Sequence, residues 1–202
     1  MAGKVFACLW KVEEASMTMI FAGLILIMLD INVDIYMLRF ELLPDFVGFA
    51  LLFLGMRGLA SKSKYFKSAL PIDAVLFVGA LCEWVFLAIG LVQASSDAVA
   101  FFDTVENLCM FYLTFCAVQT LVDLEKESGY HFDAVRLKKI WLCWLEVSAV
   151  VLVALLFINI VIANTSGVWG LAVIVLTVAD LAVVVLFLFY FYRSKEKYEY
   201  FF

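Results

Sequence analysis

Residues 30–58 read DINVDIYMLRFELLPDFVGFALLFLGMRG. Here a first apolar run breaks into polar residues, the chain turns at Leu43-Pro44-Asp45, and a second apolar run begins. The rest of the chain repeats this theme, with apolar segments long enough to cross a bilayer and a few acids inside them. The stretch therefore indicates an integral membrane protein.

The composition excludes an ordinary soluble domain. Of the 202 residues, 66% are hydrophobic and 16% are charged, and the mean hydropathy is +1.06. Soluble domains carry roughly 45–50% apolar and about 25% charged residues. We therefore expect much of the protein surface to be apolar and the lipid bilayer to be its main partner. The net charge of −5 and the lack of a basic stripe with stacking aromatics argue against nucleic acid as a partner.

The apolar runs predict an all-α bundle of about six transmembrane helices in a single membrane domain, residues 1–202. The predicted spans are approximately 17–36, 44–60, 70–93, 98–121, 140–163 and 169–192. Pro44 and Pro71 are both assigned to span starts, where proline suits the first helical turn. No small-residue cleavage site follows the first run, so we expect it to remain as an anchor.

The end of span 1 has two interpretations. Its unbroken apolar part, residues 17–29, is 13 residues long, about 20 Å of helix against a hydrocarbon core of roughly 30 Å. Either the helix continues to about Tyr36, or it ends near Asp30 and an extended arm follows, which pairs with residues 38–42. The sequence leaves both alternatives open.

The basic residues predict the orientation. Thirteen of the 14 lysines and arginines fall in the N-terminus, the second and fourth loops and the tail, and only Arg39 falls on the other side. Because cytoplasmic loops carry the excess of Lys and Arg, both termini are expected inside. The tail, residues 193–202, is expected to rest its aromatics at the membrane interface.

Acids inside the spans are the main functional signal, since one at a helix centre costs about 2.5–3.5 kcal/mol on insertion scales. Asp103, Glu106 and Asn107 share one face of span 4, in the outer third of the membrane. Asp30 and Asp34 are expected at a similar depth. These side chains form a candidate cation or proton site; alternatively, they cap helix ends at the wet outer interface.

Glu83 and Asp180 are predicted near mid-span, with Asp73 near the start of span 3. No Lys or Arg lies deep in a predicted span to pair with them. Three roles are open for Glu83 and Asp180: a protonated acid bonded to a neighbouring helix, a proton- or ion-coupling group, or a contact with a partner subunit. Thr177, three residues before Asp180, is a candidate to share its proton.

Small residues predict close helix packing, because Gly48, Gly55 and Gly58 fall near one face of span 2. The five cysteines form no C-x-x-C pair, which argues against a disulfide framework or a zinc site. The chain also lacks H-E-x-x-H, G-x-S-x-G and phosphate-cradling glycine motifs. We therefore predict no enzyme activity, no catalytic residue, no metal and no cofactor.

The segment Leu42-Leu43-Pro44-Asp45-Phe46-Val47-Gly48, together with the Asp/Asn-rich end of span 1, carries a resemblance. It resembles a family of small, uncharacterised polytopic bacterial membrane proteins whose second span starts Leu-Pro-Asp-(Phe/Tyr)-(Ile/Val)-Gly. The resemblance covers residues 29–67 and implies a bacterial cytoplasmic membrane, with no activity attached.

Two functional classes follow from the sequence. The favoured one is a non-enzymatic membrane subunit, scaffold or sensor that packs against a partner membrane protein or a second copy through Gly48, Gly55 and Gly58, which we call the glycine seam. The alternative is a small cation- or proton-coupled carrier or channel that uses the intramembrane acids.

Overall fold

The computed structural model describes residues 2–28, 32–35, 38–41, 44–89, 97–161 and 168–201. Within these ranges the chain forms six helices and one antiparallel two-stranded hairpin. The helices are α1 Ala2–Met28, α2 Asp45–Leu59, α3 Lys64–Ala88, α4 Asp97–Ser128, α5 Ala134–Val161 and α6 Val168–Phe201. The strands are β1 Asn32–Ile35 and β2 Leu38–Glu41. The predicted helical class is confirmed for the bundle, and the hairpin is its exception.

The hairpin decides how the first span ends. α1 stops at Met28, and the strands that follow pair with Asp34 opposite Arg39. The branched residues of β1 suit an extended backbone, and Pro44 ahead of α2 is extended as well, at φ −61° and ψ 128°. The chain therefore forms the extended arm, and the prediction of a helix continued to Tyr36 is wrong.

α1 and α2 pack with their backbones nearly in contact. A Cβ added to Gly48 would lie 2.5 Å from Cγ1 of Ile27, and one added to Gly55 would lie 2.6 Å from the carbonyl oxygen of Ser16. Gly58 faces the Ser16 side chain in the same way. The predicted glycine seam thus faces α1 of the same chain, and α1 is the helix that these small residues accommodate.

Consecutive helices pack on one another, and α6 also packs on α1, where Phe21 stacks on Phe191 with ring centroids 6.1 Å apart. The inward faces of α3 and α4 repeat at intervals of three and four residues, as expected for helices that bury one stripe. The buried residues of these stripes include Phe66, Ala69, Asp73, Leu76 and Ala80 on α3, and Met110, Leu113, Ala117, Leu121 and Leu124 on α4.

α3 begins earlier than its predicted span. The Ser63 hydroxyl caps it by accepting the backbone N–H of Tyr65 at 3.2 Å. The helix then runs through Pro71, which has no N–H to donate to the carbonyl of Lys67 four residues before it. The expected position of Pro71 in the first helical turn is therefore wrong.

α6 continues beyond residue 192 to Phe201, so the predicted tail is helical. Tyr198 is buried, and its ring meets that of Phe132 in the α4–α5 loop with centroids 5.8 Å apart. The Thr18 hydroxyl of α1 donates to Glu199 at 2.9 Å. The tail therefore packs on the bundle through Tyr198, whereas Tyr200 is 83% exposed, and the interfacial position of the tail's other aromatics stays a prediction.

Three of the described segments are long and apolar enough to cross a membrane, namely Lys64–Leu87, Thr104–Ser128 and Ile174–Phe201. Their outward faces expose large apolar side chains; Val75, for example, is 71% exposed and Val175 is 66% exposed. Such surfaces are costly in water and suit a lipid solvent. These segments indicate a membrane protein.

Candidate functional site

The two ends of the helix bundle differ in the elements that they carry. We call the end that carries β1 and β2 the hairpin end. The opposite end, where the α2–α3 loop, the α4–α5 loop and the last turns of α6 lie, is called the basic end, because it carries Lys62, Lys64, Lys138 and Lys197.

Asp73 is the most unusual acid among the described residues. Its side chain is 0% exposed, and neither carboxyl oxygen has a hydrogen-bond partner in the part of the chain that the structure describes. Burial of a carboxyl group without a compensating partner is unfavourable. An ionisable group retained in this position is a candidate for function.

The contacts between antiparallel helices place Asp73 along the bundle. Ser68 and Tyr112 hydrogen-bond at 2.7 Å, and Gly79 faces Phe102. Asp73 is five residues from the first contact and six from the second, so it lies near the level of residues 107 and 108 of α4. Asp73 and the acidic stripe predicted on span 4 therefore occupy one level.

α5 and α6 contribute to the same level. Trp144 of α5 contacts Phe111 of α4 with ring centroids 4.6 Å apart, so Ser148, one turn along α5, lies near the level of residue 107. The Ser148 hydroxyl donates to the Asp180 carboxylate of α6 at 2.6 Å. We call Asp73, Glu106, Ser148 and Asp180 the acidic layer.

The predicted stripe on α4 is divided in the structure. Glu106 is 9% exposed, whereas Asn107 is exposed. Asp30 lies outside the described residues, as do the side chains of Asp34 and Asp103. The structure thus joins Glu106 to the level of Asp180, which the sequence had assigned to a different depth.

Glu83 lies away from the acidic layer. It is half-buried, ten residues or about 15 Å from Asp73 along α3, and only five residues from the helix end at Ala88. Trp84 next to it contacts Phe46 at the start of α2. Because α3 runs from Lys64 to Ala88 rather than over residues 70–93, Glu83 is near the hairpin end instead of mid-helix.

Hydrogen bonds between helices continue from the acidic layer toward the basic end. The Trp141 indole donates to the Thr114 hydroxyl at 2.9 Å, and both residues are buried. The Lys138 ammonium donates to Gln119 at 3.0 Å. The Ser63 and Thr120 hydroxyls lie 2.7 Å apart. Such bonds between helices satisfy polar groups that lipid cannot satisfy.

At the basic end an ion-pair cluster joins the α4–α5 loop to α6. Lys197 hydrogen-bonds to Asp133, and Nε of Arg193 lies 3.7 Å from the same carboxylate. The hydrogen bond from Lys197, aided by the charges of Lys197, Arg193 and Arg136, lowers the pKa of Asp133 despite partial desolvation. The ion pairs hold the loop against the end of α6.

Among the described side chains, no three His, Cys, Asp or Glu residues lie close enough together to hold a metal ion. The acidic layer consists of three carboxyl groups, on α3, α4 and α6, and one hydroxyl group, on α5. Comparisons with protein-family models, with curated proteins and with solved structures found no match.

Sequence reasoning left Asp73 out of the candidate site, because it placed this residue at a span start, where an acid is unremarkable. The signal that identifies it is the cap at Ser63, which moves the helix start back by several residues. With that start, Asp73 falls on the buried stripe between Ala69 and Leu76.

Proposed function

We propose that this chain is a proton-coupled carrier in the bacterial cytoplasmic membrane. The observation that supports it is Asp73, a fully buried carboxyl group without a hydrogen-bond partner among the described residues. One carboxyl group is sufficient to bind and release a proton. Glu106 and Asp180 at the same level offer further acceptors on α4 and α6.

The proposed arrangement is a multi-pass protein with six spans and both termini in the cytoplasm. The three membrane-length segments and the grouping of lysines and arginines at the basic end support it. A reporter fused after Phe202 is expected to stay in the cytoplasm. Export of that reporter would contradict the arrangement.

Proton flux into liposomes tests the carrier directly. A pH-sensitive dye inside vesicles that contain the purified protein should report flux down an imposed pH gradient. Asp73→Asn keeps the shape of the side chain but removes its proton exchange, so flux is expected to fall by about a hundredfold or more, as on loss of a general acid–base group.

Glu146→Gln is the matched control, because Glu146 is an exposed acid of α5, about half a turn from Ser148, and lies outside the buried face. Its flux should equal that of the wild type. Unchanged flux in Asp73→Asn, or no flux in the wild type under any proton or cation gradient, would refute the carrier.

A second candidate function is a non-enzymatic membrane subunit or sensor. It is supported by an apolar hollow of about 510 Å³ on α6, into which a neighbouring membrane helix can pack. The residues that line the hollow are Val178, Leu181, Ala182, Val185, Leu186 and Phe189. Since α1 occupies the glycine seam, a partner or a second copy is expected on α6 instead.

Ala182→Trp tests this second candidate by filling the hollow. A change from oligomer or complex to monomer, measured as the mass of the purified particle in detergent, would support a subunit role. A particle that is monomeric in both the wild type and the variant would refute it.

A further inference from the structure

A charged pocket opens where the α2–α3 loop meets the last turns of α4. Its volume is about 240 Å³, and four charged side chains line it: Lys62, Lys64, Asp123 and Glu127. Lys64 is the first residue of one membrane-length segment, and Glu127 is next to the end of another, Thr104–Ser128. In the proposed membrane arrangement this pocket therefore opens at the membrane surface, and we call it the interfacial pocket.

The floor of the interfacial pocket is closed by two buried hydroxyl groups. Thr120 donates its one hydroxyl hydrogen to the carbonyl of Cys116 at 2.8 Å. The hydrogen between Ser63 and Thr120, whose oxygens lie 2.7 Å apart, must then come from Ser63. Both floor hydrogens are thus used within the protein, so hydrogen bonds donated to an acceptor group of a ligand have to come from the charged rim.

The acidic side of the rim is held in position by the bundle. Asp123 accepts a hydrogen bond from the Gln119 amide at 3.2 Å, and Gln119 in turn accepts one from Lys138. A carboxylate has about four acceptor positions, so Asp123 retains capacity for a ligand. Glu127, one turn further along α4, is on the same helix face and is exposed.

The basic side of the rim comes from the residues around the cap of α3. Lys62 precedes Ser63 and Lys64 follows it, and both side chains line the pocket. The Lys64 ammonium also lies over the Tyr65 ring, 5.2 Å from its centroid. The pocket therefore offers two positive and two negative groups. A simple anion meets the two carboxylates, and a simple cation meets the two lysines, so each is opposed by half of the rim.

We propose that the interfacial pocket binds a phosphoethanolamine group, carried in the membrane as the headgroup of phosphatidylethanolamine. The lysines match the phosphate oxygens, and the carboxylates match the primary ammonium group of the same ligand. The volume lies below the range of about 300–1,000 Å³ typical of pockets for drug-sized ligands, which suits a headgroup. The inference depends on the proposed membrane location but not on carrier activity.

Lipid retention by the purified protein tests the pocket. Native mass spectrometry after incubation with equal amounts of three lipids should show phosphatidylethanolamine retained about tenfold more than phosphatidylcholine, whose quaternary ammonium cannot donate hydrogen bonds to the carboxylates. Phosphatidylglycerol, which lacks an ammonium group, should also be retained less. Equal retention of phosphatidylethanolamine and phosphatidylcholine, or stronger retention of phosphatidylglycerol, would overturn the proposal.

Exposed rim residues can be changed without disturbing the core. Lys64→Gln and Glu127→Gln should each lower phosphatidylethanolamine retention by about tenfold, as expected for loss of one charge-assisted hydrogen bond. Lys67→Gln is the matched control, because Lys67 is an exposed lysine of α3 that does not line the pocket. A similar loss in Lys67→Gln would overturn the proposal by indicating general charge attraction.

Soluble probes separate the two sources of this chemistry. Displacement of the lipid by free phosphoethanolamine, but not by inorganic phosphate, would assign recognition to the headgroup alone. Displacement by neither probe would assign it to the whole lipid, whereas equal displacement by both would overturn the zwitterionic site. Asp73→Asn should retain the lipid normally, so that failure of the carrier and failure of this site are measured independently.

Discussion

α1 and α2 are held together differently from α4, α5 and α6. The first pair approaches through glycines such as Gly55, whereas the later helices are linked by side-chain hydrogen bonds such as Trp141 to Thr114. In lipid, burying one apolar helix against another gains little, so close backbone packing and polar links decide which helices associate. The first pair should therefore be sensitive to added volume, and the later helices to lost hydrogen bonds.

The largest effect is expected from Gly55→Ala. The new Cβ would lie 2.6 Å from the backbone oxygen of Ser16, which cannot move without shifting α1. We expect a loss of about 3 kcal/mol of stability, at the upper end of ordinary overpacking. The midpoint of thermal unfolding in detergent measures it.

Gly79→Ala is the control for that change. Its new Cβ would meet only the far end of the Phe102 ring, which is able to turn aside. The variant should therefore lose much less stability, and it also removes the helix penalty of glycine. Equal losses of stability in Gly55→Ala and Gly79→Ala would show that close packing at glycine is not what sets the α1–α2 contact apart from the other helix contacts.

Asp73→Leu changes α3, the helix between the α1–α2 pair and the group formed by α4, α5 and α6. It is expected to have the next largest effect on stability. Replacing a buried acid that has no described partner by an apolar side chain of similar size should stabilise the protein by about 2 kcal/mol. The same variant should lose proton flux, a trade of stability against function. A lower unfolding midpoint would indicate that Asp73 has a stabilising partner.

Trp141→Phe measures one polar link. It removes the bond to Thr114 and should cost about 1 kcal/mol more than Trp144→Phe, because the Trp144 indole nitrogen has no partner among the described residues. Both side chains are 7% exposed, so the loss of packing is comparable. Unfolding midpoints that are the same for the two variants would argue against the importance of polar links in these helices.

The smallest effect concerns the ion pairs at the basic end. Because the pKa of Asp133 is lowered from its ordinary value of 3.8, its contribution to stability is present above about pH 4 and is lost as the pH falls through the folded-state pKa. Asp133→Asn should thus destabilise the protein at pH 7 by less than about 1 kcal/mol, since the pair is partly exposed.

The pH dependence of that difference is its test. Asn tolerates the φ of 58° at this position, so backbone strain does not add to the effect. The unfolding midpoints of the wild type and the variant should converge as the pH is lowered from about 4 through the folded-state pKa of Asp133. A difference that stays constant with pH would assign the effect to something other than the charge.

The helices were predictable where apolar residues follow one another along the chain, because a helix that crosses a bilayer needs a continuous apolar run, and such a run is visible in the sequence. Their ends were less so, since capping and hydrogen bonding rather than hydropathy set them. Ser63 starts α3 ahead of the apolar run, and the tail that reads as polar is helical through Tyr198 because Phe132 packs on it. The misplaced start of α3 is what hid Asp73.

The sequence by itself determined the helical class, the large apolar surface and the placement of glycines where a second helix can approach, since each depends on residue type and local spacing. The tertiary structure alone decided that α1 fills the glycine seam and that Ser148 is the partner of Asp180. It also decided that Asp73 shares a level with Glu106. These relations depend on the register between helices, which is set by side-chain packing across the bundle.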